Sequence, residues 1–151
     1  MKNIFTIEVS NEIIDRINNL TPTAKPTWGK MNVAQMLAHC NVSYAQAYYP
    51  ENFKKPNFFL KLILKNLVKS HVVNTKPFNK NGSTAPDFII TDTRNFENEK
   101  SILIENIKKT QQLGATYFEQ RENFSFGKLT ASEWNNMLYK HLDHHLNQFD
   151  V

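Results

Sequence analysis

Apolar residues recur at three- and four-residue spacing along most of the chain, and short breaker-rich stretches separate the periodic segments. Ile13, Ile14 and Ile17 share one face of a short helix predicted over residues 10–20. Asn32 and Gln35 form a capping box, with Met31 and Met36 at the two staple positions, and predict a helix over 32–49 that stops before Pro50. Residues 58–72 are a third helical stretch. Phe96, Ile102 or Leu103, Ile107 and Leu113 mark the apolar side of a long helix that starts near Thr93 and runs past Gly114, with a kink, to about residue 120. The last helix opens on a capping box of Thr130 and Glu133, stapled by Leu129 and Trp134, and runs to Phe149. Breakers fall at 21–29, 48–51, Pro56, 76–87 and 124–129. No segment alternates as a strand does.

Five helices and no strand predict an all-α fold. Residues 50–92 hold only one short helix, far more chain than antiparallel neighbours need. That segment therefore reads as a long crossover between parallel helices 32–49 and 93–120, with 10–20 and 130–149 completing a four-helix core. At 151 residues the chain is one domain. Its 40% hydrophobic and 21% charged content is that of a globular protein. A single cysteine, Cys40, excludes an internal disulfide and a Cys-rich zinc motif. It reads as a small buried hydrophobe. The N-terminus lacks an apolar leader segment and Lys61, Lys65 and Lys69 interrupt the most apolar stretch, so the expectation is a soluble, cytoplasmic protein.

The net charge of +4 is modest, but it is unevenly spread. Seven lysines and no acid lie between Asn52 and Pro86. Lys61, Lys65 and Lys69 recur every four residues and make one face of the third helix, whose other positions include Phe59, Leu60, Ile63, Leu64 and Leu67. Such a stripe suits a surface-binding role, whereas the simpler reading is a solvated face over a helix packed on the core. On that reading neither a nucleic acid nor a membrane is expected as a partner.

The candidate chemistry lies in the histidines. Of the five, three cluster in KHLDHHLNQF (140–149). His141 and His145 are i,i+4 neighbours, which places their Cβ atoms about 5–6 Å apart and lets two imidazoles meet one metal ion. They follow Trp134 and Leu138 by seven residues each, so they continue that helix's apolar stripe and need partners if it faces inward. His144 lies about 80–100° around the helix and is a weaker candidate. His39, beside the apolar stripe of the second helix, would supply a third ligand from a facing element. Three protein ligands with an open position is the pattern of a catalytic metal. A solvated histidine cluster and a satisfied interior His39 are the competing readings.

WGKMNVAQMLAHC (28–40) and FGKLTASEWNNMLYKHLDHHLNQF (126–149) resemble the two signatures of a bacterial family of uncharacterised proteins within the DinB/YfiT-like superfamily. The resemblance covers nearly the whole chain. It implies a DinB-like four-helix bundle in up-down-down-up order with a long crossover. It also implies a divalent-metal site of one histidine on the second helix and a His-xxx-His on the last, here His39, His141 and His145. Relatives often carry His-Pro before the Phe-Gly turn; this chain has Asn123 and Phe124 there.

What the resemblance implies about function is a metal-dependent transferase or hydrolase acting on a small molecule, thiol transfer with a low-molecular-weight thiol being the more specific form. Zinc, nickel, iron and manganese all suit three imidazoles. No separate general base stands out: Glu133 caps a helix, and Asp143 lies off the inward stripe. The alternative is a non-catalytic helical bundle that binds a small ligand or a partner. A homodimer is compatible with such a bundle, though no residue pattern specifies one.

Overall fold

A computed structural model describes all 151 residues. Helix α1 (Ile7–Asn18) is followed by α2 (Val33–Tyr48). A connecting segment then carries α3 (Phe58–Ile63), a π-helical turn (Leu64–Val68) and α4 (Lys69–Val73). Helix α5 (Phe96–Phe118), a hairpin of β1 (Arg121–Asn123) and β2 (Gly127–Leu129), and α6 (Ala131–Gln148) complete the chain. Helix α2 packs on α5 and α6, and α1 packs on the same two helices. Their apolar faces meet in one core that includes Ile13, Ile17, Leu37, Leu103, Ile107, Trp134 and Leu138. No helix is long and apolar enough to cross a membrane.

Both predicted capping boxes are present. Asn32 accepts from the Gln35 N–H, and Thr130 from that of Glu133, while each partner side chain returns a bond to the cap's backbone. Those reciprocal bonds satisfy donors that the first helical turn leaves orphaned, so they fix where α2 and α6 begin. Thr6 caps α1 by a single bond, its hydroxyl accepting from the Val9 N–H, and the helix starts at Ile7 rather than residue 10. Asn95 caps α5, which is interrupted at Gly114 (φ 68°, ψ 174°), the predicted kink.

The expectation of a purely helical chain is corrected by the hairpin. Its strands are three residues each, in the register Arg121↔Leu129 and Asn123↔Gly127. Strands this short carry too few positions for alternation to register. Asn123 builds the turn instead: its Oδ1 accepts from the backbone N–H groups of Ser125 and Phe126. Trp134 Nε1 donates to the Arg121 carbonyl and ties the hairpin to α6.

The connecting segment also departs from expectation. Leu64, Val68 and Val72 pack against the core, but Phe58, Phe59, Leu60, Leu62, Ile63 and Leu67 are exposed. The segment is pinned to α6 by Lys140, whose buried ammonium donates to the carbonyls of His71 and Asn74 at 2.9 Å each, and by Asn136 donating to the Val73 carbonyl at 2.9 Å. Asn135 holds the N-terminal segment similarly, accepting from Ile4 N–H at 2.7 Å and donating to the Lys2 carbonyl. Buried asparagines thus serve as backbone clamps, a role their abundance in the sequence does not announce.

Candidate metal centre

Helix α2 carries His39 and α6 carries His141 and His145, and the contact between the two helices brings all three rings together. One ring nitrogen from each lies within 4.8 Å of the others. The ring centroids are 4.5–4.9 Å apart, and His141 Nε2 lies 2.8 Å from His39 Nε2. His39 and His145 are buried, and His141 is half-buried. The helical spacing delivers the α6 pair, and the capped start of α2 sets the height at which His39 faces them.

Each ring is held through its other nitrogen. His39 Nδ1 is 2.8 Å from the Phe88 carbonyl, which can only accept, so that nitrogen carries the proton and Nε2 is bare. His145 Nδ1 is 2.8 Å from Gln148 Oε1. The orientation of that amide follows from its other end, where Nε2 donates to the Trp28 carbonyl at 2.6 Å. His145 Nδ1 is therefore the donor, and its Nε2 is also bare. His141 Nδ1 is 2.9 Å from the Ser43 hydroxyl, which can accept or donate. Without a cation, the His141 Nε2–H can donate to the bare His39 Nε2, 2.8 Å away.

The donor set fits a divalent ion. Two nitrogens on tetrahedral zinc, at about 2.0–2.1 Å from the metal, lie about 3.3–3.4 Å apart. The observed spread, from 2.8 Å to no more than 4.8 Å, brackets that value. The outer partners are those expected of metal-binding histidines, a carbonyl or polar oxygen on the far nitrogen. Burial also holds the rings neutral, which is the ligating form. It lowers His39 below the ordinary imidazole value against the opposing Phe88 bond. Burial, with the neighbouring histidines, lowers His141 much further. Burial pushes His145 down to about 3.

His144 stands outside the triad. It meets Trp28 and Phe78 edge-on, with Lys80 over the Trp28 ring at 4.2 Å, and lines a cavity of about 590 Å³ that none of the three clustered histidines borders. Cys40 is buried with its thiol pushed up by desolvation and directed at Met36 Sδ, so it takes no part. Asp143 pairs with Arg16 at 2.8 Å, and Glu133 caps α6 while pairing with Lys69 at 2.9 Å. Neither carboxylate is left over as a base for the histidine cluster. Asn123 is consumed by the hairpin turn.

Sequence reasoning passed over Gln148, Ser43 and the Phe88 carbonyl as supports. Gln148 lies three residues after His145 on the same helix, and Ser43 four after His39, so both were within reach of a spacing argument. The Phe88 carbonyl was not, because a loop presents it.

The family model described as "Protein of unknown function (DUF1569)" matches residues 2–151. The chain belongs to that family. DUF1569 lies in the DinB/YfiT-like superfamily, as the two histidine-bearing signatures implied. No curated protein and no solved structure matches this DUF1569 chain.

Proposed function

We propose that this DUF1569 protein is a metal-dependent enzyme acting on a small molecule, with His39, His141 and His145 holding the ion in a DinB-like up-down-down-up bundle. The observation that carries the proposal is the convergence of three imidazoles whose Nδ1 atoms are already engaged by Phe88, Ser43 and Gln148. A divalent ion held there would act as a Lewis acid, lowering the pKa of a coordinated thiol or water.

The chain's own residues do the rest. His39, His141 and His145 present neutral nitrogens. Gln148 and the Phe88 carbonyl fix two tautomers, and the Ser43 hydroxyl turns from donor to acceptor when His141 moves its proton to Nδ1. Asp143 and Glu133 are committed elsewhere, so neither of them takes a proton from the substrate. Thiol and water would both ionise on coordination, and the thiol, whose free pKa of about 8.5 lies far below that of water, ionises the more readily, which favours thiol transfer over hydrolysis.

The test is turnover by protein reconstituted with zinc, nickel, manganese or iron(II). Low-molecular-weight thiols would be offered with a chromogenic electrophile, and aryl esters in parallel. Metal-dependent thiol consumption that His39→Ala abolishes is the expected result. Turnover that is indifferent to metal and to His39→Ala would overturn the reading.

A further inference from the structure

The twelve large hydrophobic residues that stand exposed are not scattered. Six of them fall within residues 58–67. Phe58, Phe59 and Leu67 are each about three-quarters exposed (76%, 75% and 73%). The segment is fixed rather than loose: its Leu64–Val68–Val72 row packs on the core, Lys69 pairs with Glu133, and Lys61 with Glu122. Around the helix from that inward row, the four-residue rows Phe58–Leu62 and Phe59–Ile63–Leu67 face outward. Lys61, Lys65 and Lys69 flank them, and the exposed Lys54 and Lys55 lie just before the helix. None of the ion pairs involves Lys54, Lys55 or Lys65.

We propose that this face docks on an anionic lipid bilayer, with Phe58, Phe59, Leu62, Ile63 and Leu67 entering the interfacial region and Lys54, Lys55 and Lys65 meeting the headgroups. Charge selects the occupant. The segment from Asn52 to Pro86 contains seven lysines and no acid, so a second copy packed symmetrically on this face would set lysines against lysines. An anionic surface removes that conflict. Shape agrees: side chains three-quarters exposed project from the surface instead of lining a groove, which suits a deformable apolar phase. A short helix that lies in the interface needs no membrane-crossing length. Each lysine held near such a surface adds roughly five-fold to affinity at low salt.

The experiment is co-sedimentation of the full-length protein with vesicles of phosphatidylcholine alone or mixed equally with phosphatidylglycerol. Binding to the anionic vesicles, at least ten-fold weaker on the neutral ones and reduced by 0.5 M salt, is expected. Phe58→Ser/Phe59→Ser should weaken it by ten-fold or more, and Lys54→Gln/Lys55→Gln/Lys65→Gln by a comparable factor. All these positions are exposed, so circular dichroism should be unchanged. Absence of binding to anionic vesicles at low salt would overturn the proposal. So would binding that the phenylalanine variant leaves intact. Light scattering supplies the third reading: a dimer that Phe58→Ser/Phe59→Ser converts to monomer would show that the face belongs to self-association instead.

Discussion

Gln148 is the side chain on which the centre depends most after the histidines themselves. It joins the last turn of α6 to the Trp28 carbonyl and fixes the His145 tautomer in one bridge. Gln148→Leu keeps the size and removes both bonds, so it should lower metal affinity by about 10–100-fold. A chelator-competition titration measures this, and unchanged affinity would contradict the assigned role. Gly29 guards the same bridge. Its φ is +83°, and a Cβ there would stand 2.6 Å from Gln148 Nε2. Gly29→Ala should therefore cost about 1–2 kcal/mol in urea unfolding from the left-handed backbone alone, with weaker metal binding alongside. The lowered imidazoles give a pH prediction with a definite sign. Folded values lie below the unfolded value of about 6.5, with His145 at about 3, so the unfolded chain binds more protons in that window. Stability of the metal-free protein should be complete above about pH 6.5 and fall as pH drops toward 3. Urea midpoints of chelator-treated protein at pH 7.5 and 5.0 test this, and a higher midpoint at pH 5.0 would contradict it.

Among the elements, what the sequence made legible was local. The capping boxes at Asn32 and Thr130 gave the starts of α2 and α6, because the bonds that make them span only three residues. Thr130→Ala should cost about 1 kcal/mol by equilibrium unfolding, and no loss would mean the cap is redundant. The α1 boundary shifted by three residues because the helix is capped by Thr6 and opens on an exposed Ile7 rather than on a buried apolar residue. The hairpin at 121–129 escaped because its pairing rests on an asparagine turn and a tryptophan N–H rather than on alternating side chains. The third helix misled differently. Its period was right, but of the five apolar residues read beside the lysines only Leu64 packs on the core. Periodicity gives a helix its faces, not its neighbours.

At the scale of the whole molecule, the long connection between α2 and α5 is more than a tether. It reaches back to α6 through Lys140 and Asn136, and it delivers the Phe88 carbonyl to His39. The three histidines were legible from spacing and from the signatures, since α6 alone places two of them on one stripe. Their support was legible only in part, because the Phe88 carbonyl and the Trp28 carbonyl come from loops that no periodicity describes. The molecule thus assembles the candidate centre for an ion from two helices and two loops. The most direct measurement is elemental analysis of untagged protein purified without chelators, beside His141→Ala/His145→Ala. Near-stoichiometric divalent metal in the wild type, lost in the double variant, is the result the structure predicts. A wild type without metal, even after incubation with zinc, nickel and manganese, would contradict it and leave the three histidines as a structural cluster.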